Sequence, residues 1–511
     1  MRRWRSKAPA PAVGAEANDG GSGSPGAFGG DEPLVEELRA ALAPDRVHID
    51  GLELALYGRD ASLERGEAAV VCFPTSVEEV QACVRLARRH GRPFVPRGAG
   101  TGLAGGAVPR QRPVMIVTTR MSRILEVDTA QRVAWVEPGV INLDLTRQLR
   151  PLGFHFAPDP SSQQSCSIGG NVANNSGGPH CLSYGVTAAH VQALEVVLPS
   201  GELAVLGGLD PEPIGLDLRG VVVGSEGMLG IVTKVAVRLT PNPPAVRLLL
   251  MDFVEPADAA ATVSGIIAAG VVPAAVEMMD QRITQAAEDF VHAGYPTDAG
   301  AILFVELDGL PGGVAAESAI VEELARSNRA RTIRVAEDED ERLLLWKGRK
   351  TAFGAVARVK PNYYLHDTVV PRTRLLEVLT RVYEIAARHD LIVMNVFHAG
   401  DGNLHPLLVF DAREPGVLER VHAAGEEIVR VSLEVGGVLS GEHGIGLEKQ
   451  PFMARQFSPA DLDAQARLRE AFDPDGLANP GKVLPEGSRC GDLMALPAAT
   501  RARLADVGVW A

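Results

Sequence analysis

The chain has 511 residues, a length that suits two or three domains better than one core. Hydrophobic residues make up 46% and charged residues 22%, ordinary values for a globular protein. A formal net charge of -14 argues against a nucleic-acid partner, because polyphosphate is repelled unless a basic patch compensates, and the sequence holds no such patch.

The one basic cluster is the opening MRRWRSK, with no apolar region behind it to make a secretory signal. No run reaches the roughly 18 apolar residues of a membrane span. Cys72, Cys83, Cys166, Cys181 and Cys490 form neither a C-x-x-C pair nor a zinc or iron–sulfur spacing. A cytoplasmic protein with reduced thiols is expected, and it has no cluster of its own to carry electrons.

Residues 1–33 are mostly Gly, Ala, Pro and Ser and are expected to be disordered. SVEEVQACVRLARRHG follows as a helix: Ser76 and Glu79 match a capping box, Val77, Val80, Val84 and Ala87 form an apolar face, and Gly91 stops it. The short strand PFVP leads into RGAGTGLAGGAVP. Gly100, Gly102 and Gly105 match G-x-G-x-x-G, yet Pro109, Pro113 and the strand VMIVTT follow where a Rossmann unit needs a helix. A glycine loop between strands can still present backbone N–H groups as an anion nest.

Two more such loops follow, PDPSSQQSCSIGGNVANNSGG and VVVGSEGMLGIVTKVAVRL, the latter with Gly224, Gly227 and Gly230. Three polar glycine loops beside strand-like sequence suggest one large phosphate-bearing ligand. Beyond about Val246 helical stretches (AVEMMDQRITQAAEDF, GVAAESAIVEELARS, DERLLLWKGRKTAFGAVAR, RLLEVLTRVYEIAARHD) alternate with strands (AILFVELDG, RTIRVAED, NYYLHDTVVP). This predicts an α+β domain with an antiparallel sheet covered by helices.

LIVMNVFH and LHPLLVF flank the turn AGDGN and read as a β-hairpin with His398 and His405 facing across it. Two imidazoles suit Zn, Mn or Fe but need a third ligand, which Glu442 in GGVLSGEHGIGLEK supplies. His-His-Glu leaves positions open, the pattern of a catalytic metal. The adjacent His443 can then serve as a base, provided that Gly441 and Gly444 bend the chain there.

PRGAGTGLAGGAVP, PDPSSQQSCSIGGNVANNSGG, VGSEGMLGIVTKV, FHAGDGNLHP, GEHGIGLEKQ and NPGKVLP occur in an order that resembles the FAD-linked D-2-hydroxy-acid dehydrogenases. Glycolate oxidase D-subunits and D-lactate and D-2-hydroxyglutarate dehydrogenases belong to that family. The likeness spans about residues 65–485. It implies an α+β fold: a two-subdomain FAD-binding domain of the vanillyl-alcohol-oxidase (PCMH) type at 34–245 and a cap domain with the metal site at 246–450. A segment at 451–485 would return to the FAD domain, and 486–511 would be a tail.

The same resemblance implies that Pro96, Arg97, Gly98, Ala99, Gly100, Thr101, Gly102, Gly105 and Gly106 hold the pyrophosphate. Pro158, Asp159, Pro160, Ser161 and Ser162, with Gly169, Gly170, Asn171, Asn174, Ser176, Gly177 and Gly178, would line the flavin. Glu226, Gly227, Gly230 and Ile231 would lie near the adenosine half, and Asn479 would join from NPGK. The first loop has no His, and Cys166 is offset from its Gly-Gly, so non-covalent FAD is expected.

In the implied reaction a metal on His398, His405 and Glu442 chelates a 2-hydroxy acid, His443 takes the hydroxyl proton, and Arg349 binds the carboxylate with its planar fork. Electrons would pass to a separate iron–sulfur or quinone-linked partner. Phe353, Leu365 and Leu407 stand where relatives acting on 2-hydroxyglutarate carry polar residues, so a small acid such as glycolate or D-lactate is expected. A dehydrogenase of larger D-2-hydroxy acids and a non-catalytic flavin-binding assembly subunit are the alternatives.

Overall fold

The computed structural model describes residues 31–209 and 215–485. The expected tails at 1–30 and 486–511 lie outside the described residues, as does Cys490. Order begins earlier than composition suggested. The helix Glu32–Leu42 starts inside the stretch read as tail, with Pro33 in its first turn, and buries Leu34, Val35, Leu38 and Leu42.

The N-terminal half holds two small sheets. Strands Val47–His48, Val70–Cys72, Val114–Val117 and Phe94–Arg97 form the first, in that order. The last three run parallel, which the helix Val77–Arg89 permits as the crossover. Ser76 caps that helix by accepting from the Glu79 N–H, and Gly91 sits beyond its end at φ +60. The reciprocal half of the capping box is missing, because the Glu79 carboxylate accepts from the Thr75 N–H at 2.7 Å and from Arg46 Nη2 at 2.7 Å.

The second sheet is antiparallel, in the order Ile124–Asp128, Val133–Val136, Ile231–Arg238, Val191–Val197, Leu203–Gly207. The first glycine loop follows the strand Phe94–Arg97 and the third precedes Ile231–Arg238, with left-handed backbone at Gly100 (φ +74), Gly224 (φ +81) and Gly227 (φ +75). The chain returns to the first sheet late: the Phe94 N–H donates to Leu477 O at 2.9 Å, and the Asn479 N–H to Phe94 O at 2.8 Å.

Between these segments stands a nine-stranded sheet, whose longest run is Thr332–Val335, Ala245–Phe253, Ala301–Gly309, Ala275–Asp280, Ile392–His398, Asn403–Leu404, Thr368–Val369. Alternation puts Leu249, Met251 and Phe253 on one face under helices Pro256–Ala268, Pro311–Ser327, Leu375–Arg388 and Val417–Glu434. Leu248 and Leu250 lie on the other under Gln281–Val291 and Glu339–Ala355. One expected helix is a strand in its first half. AVEMMD pairs on both sides inside the sheet and is buried throughout, so it lacks the polar alternation that marks a half-exposed strand.

Candidate active site

The hairpin forms as the turn chemistry predicts, with Ile392, Val393, Met394 and Asn395 paired to Val409, Leu408, Leu407 and Pro406. His398 lies in register with Asn403, however, and not with His405. His405 falls between the short strand Asn403–Leu404 and the strand Pro406–Phe410, and this irregularity swings its ring to 5.0 Å from that of His398, nearly perpendicular.

Glu442 completes the cluster. Its Oε1 is 3.4 Å from His398 Nε2 and 3.4 Å from His405 Nε2. The His443 ring stacks on that of His405 at 5.0 Å with 9° between planes, and its Nε2 is 3.6 Å from Glu442 Oε1. The bend that puts Glu442 and His443 on one side is built around a carboxylate that sequence reading missed. Buried Asp367 accepts from the Gly441 N–H at 3.0 Å, the His443 N–H at 3.0 Å, Ser440 Oγ at 2.6 Å and Lys449 Nζ at 2.8 Å. Gly444, at φ +84, lets the loop leave again.

Burial would lift the Asp367 carboxyl, but Lys449 and His443 beside it hold it well below the usual carboxylate range. Burial draws His405 down to about 4 against the pull of Asp367 and Glu442, so its imidazole is neutral and keeps one nitrogen lone pair available. Neither His405 nitrogen has a hydrogen-bond partner, although the residue is buried. A buried ring with both nitrogens orphaned, beside a second imidazole and a carboxylate, fits a divalent metal.

Behind this cluster lies Glu277, in the middle of the strand read as helix. Its Oε1 meets His398 Nδ1 at 2.6 Å, and its Oε2 accepts from Arg349 Nε at 2.8 Å. Burial opposes protonation of His398, but Glu277 and Glu442 raise it well above the ordinary imidazole value. A carboxylate on the far nitrogen is the arrangement that orients a metal-bound histidine. Arg349 is fully buried and is not on the cavity wall, unlike the direct contact that its place in the sequence suggested; its Nη1 has no hydrogen-bond partner.

The cavity itself measures about 540 Å³, within the roughly 300–1,000 Å³ of cofactor and ligand pockets. Pro96, Arg97, Gly98, Ala99, Gly100, Thr101, Gly102 and Gly106 line one side of it. Pro160, Ser161, Ser162, Gly169, Gly170, Asn171, Asn174 and Ser176 contribute the second loop, and Glu226, Gly227, Gly230 and Ile231 the third. A Cβ on Gly102 would meet nothing nearer than Asp60 Oδ2 at 3.9 Å, so bare backbone faces the space there. Glu442, His443, Phe353 and Leu365 also line the cavity.

Six residues expected on the wall stand behind it. Gly105 packs against Leu447, a Cβ on Gly177 would meet Glu442 Oε2 at 2.9 Å, and Gly178, at φ +154, sits against Asp159. Pro158 O accepts from Asn142 Nδ2 at 2.9 Å, and Asp159 binds His180 and Lys350. Asn479 Nδ2 donates to Gly106 O at 2.9 Å and Glu226 O at 2.7 Å, tying two loops together. Glu226 also grips the histidine loop, accepting from the Ile445 N–H at 2.7 Å and the Gly446 N–H at 2.9 Å. Leu407 is a core residue paired with Leu365 and does not reach the cavity.

Residues 68–207 match the family model described as "FAD binding domain", and residues 242–483 match "FAD linked oxidases, C-terminal domain". The chain belongs to the FAD-linked oxidases. This FAD-linked oxidase is 44% identical to "Glycolate oxidase subunit GlcD" of Escherichia coli (strain K12) over 91% of its own length and 94% of that protein. It is 37% identical to the protein of the same name from Bacillus subtilis (strain 168), over 89% and 97% of the two lengths. "Probable D-lactate dehydrogenase, mitochondrial" of Danio rerio is 32% identical over 89% and 92%.

Among solved structures, p-cresol methylhydroxylase with substrate bound superimposes with a TM-score of 0.78 over 90% of this chain and 98% of that one, at 18% identity. That likeness establishes the PCMH-type FAD-binding fold. The bare backbone and the volume of the glycine-lined cavity fit a dinucleotide. No helix among the described residues is long and apolar enough to cross a membrane.

Proposed function

We propose that this FAD-linked oxidase converts a small 2-hydroxy acid, glycolate or D-lactate, to the 2-oxo acid. Electrons then pass to a separate iron–sulfur or quinone-linked acceptor. The observation that carries the reading is the His398–His405–Glu442 cluster, its histidines buried and both His405 nitrogens unpartnered, which meets the glycine-lined cavity through Glu442. The names of the curated relatives point to the same substrates.

Bound FAD supplies a two-electron acceptor at N5, and a divalent ion on His398, His405 and Glu442 supplies a Lewis acid that makes a chelated hydroxyl more acidic. His443 lines the cavity with Nε2 on the Glu442 side, placed to take the hydroxyl proton there. Its Nδ1 lies 3.8 Å from Asp367 Oδ2. Arg349, held off the cavity wall, acts through Glu277, the carboxylate that it shares with His398. Phe353 and Leu365 present apolar surface there and offer a second carboxylate no hydrogen bond of their own. Cys166 is on the wall, but its thiol is 3.5 Å from Asn171 Nδ2, in keeping with FAD held without a covalent tether.

The test is anaerobic bleaching of the flavin in purified holoprotein by glycolate, D-lactate, L-lactate and D-2-hydroxyglutarate, before and after chelation and metal resupply. Bleaching by glycolate or D-lactate that chelation abolishes and metal restores is the expected result. Bleaching by D-2-hydroxyglutarate alone would replace the small-acid reading with the larger-acid one. No bleaching by any acid would favour an assembly subunit.

A further inference from the structure

Among the described residues, two arginine or lysine side chains stand on the cavity wall, Arg97 and Lys350. Arg97 is committed within the first glycine loop, where its Nη1 donates to Arg59 O at 2.5 Å and its guanidinium lies 5.2 Å from the Tyr57 ring centre. Lys350 belongs to the metal end. It lies on helix Glu339–Ala355 one turn before Phe353, whose ring is 6.3 Å from that of His405.

Lys350 is not a loose surface lysine. Its Nζ is 3.0 Å from Asp159 Oδ2 and 5.7 Å from the Trp346 ring centre. His180 links Asp159 (Nδ1 to Oδ2, 2.9 Å) to Glu306 (Nε2 to Oε1, 3.0 Å), and Arg342 Nη1 donates to Glu306 Oε2 at 3.0 Å. The chain of contacts spans both domains, since Asp159 and His180 come from the second glycine loop and its sequel, and the rest from the cap. Burial would deprotonate His180, yet Asp159 and Glu306 raise it to about 10. Three cations therefore face two carboxylates, and Lys350 is the member of the cluster that reaches the cavity.

The acceptor ring must lie at the metal end, next to a substrate held there; this step rests on the function proposed above. Oxidation moves two electrons and one hydrogen from the substrate carbon to flavin N5, while the hydroxyl proton goes to His443. The reduced ring is left with one negative charge in a water-poor cavity, where a fixed cation counts for more than it does in water. We propose that Lys350, anchored by Asp159–His180–Glu306, is the cation that stabilises the anionic reduced flavin and so sets its reduction potential.

The test needs no substrate. Sulfite adds to N5 of oxidised flavin as an anionic adduct, so its dissociation constant reports the same charge as a dye-coupled potential titration. In FAD-loaded holoprotein, Lys350→Met should weaken sulfite binding about thirtyfold. It should also lower the two-electron potential by about 45 mV, the equivalent of that factor. Lys350→Arg should stay within about threefold of wild type, and Asp159→Asn, which removes an opposing charge, should move both readouts the other way. Wild-type sulfite affinity and potential in FAD-replete Lys350→Met would overturn the proposal. If that variant fails to hold FAD, a lowered or unchanged potential in Asp159→Asn overturns it. Failure of every 2-hydroxy acid to bleach the flavin, with these shifts present, would instead count against the proposed substrate.

Discussion

Glu277→Gln isolates the support of the metal cluster from the cluster itself. The carboxylate accepts from Arg349 Nε at 2.8 Å on one oxygen and meets His398 Nδ1 at 2.6 Å on the other, and both side chains are buried with it. Glutamine preserves the volume but offers one acceptor, so its NH2 must face a second donor. A buried guanidinium also loses its counter-ion, for which a cost of about 3–5 kcal/mol is usual. His398 loses the contact that fixes its ring, an effect worth about 10–100-fold in metal affinity. Purified variant should retain FAD by absorbance, carry less metal by elemental analysis, and require about 10–100-fold more free metal for half-maximal flavin reduction by substrate. Metal content and affinity equal to wild type would refute the assignment of His398 as a ligand oriented by Glu277.

His443→Ala should keep FAD and metal and lose about 10²–10⁴-fold in the rate of flavin reduction, measured by stopped flow; a near-wild-type rate would remove His443 from the reaction. The His180 link should make stability depend on pH with a definite sign. Its folded value, about 10, lies above the ordinary 6.5, so the stabilisation is full below about pH 6.5 and is lost as pH rises toward 10. His180→Gln should therefore flatten the fall of the thermal midpoint between pH 7 and 10, and an unchanged slope would count against that link. Asn479→Ala leaves the carbonyls of Gly106 and Glu226 without their donor, at about 1–3 kcal/mol. It should release FAD more readily on dilution, followed by flavin fluorescence.

Turn and loop chemistry was legible because it is local. Gly-Asp-Gly-Asn between two apolar runs favours a hairpin, and three glycine loops beside strands announce a ligand cradle through the conformations that glycine readily adopts. The helix start at Ser76 and its stop at Gly91 are likewise written within a few residues. The His398–His405 pair was visible in the same way, although its cross-strand register was not: one residue of irregularity after Leu404 decided which side chain faces which.

What the sequence by itself determined is thus the class of fold, the family and the residue types of the site. Only the tertiary structure decided the partners. Glu277 arrives from a strand 121 positions away in sequence from His398, and its run AVEMMD carries no periodicity to mark it, since a strand buried on both faces has none. Asp367, which folds the loop around Glu442 and His443, is one acidic residue among 64 until five polar groups converge on it. Arg349 and Lys350 are neighbours in sequence with opposite fates: the helix turns one toward Glu277 and the other toward the cavity, because successive side chains on a helix point about 100° apart. Charge in a low-dielectric interior is set by what lies within a few ångströms, and that distance is fixed by packing between elements far apart in the chain.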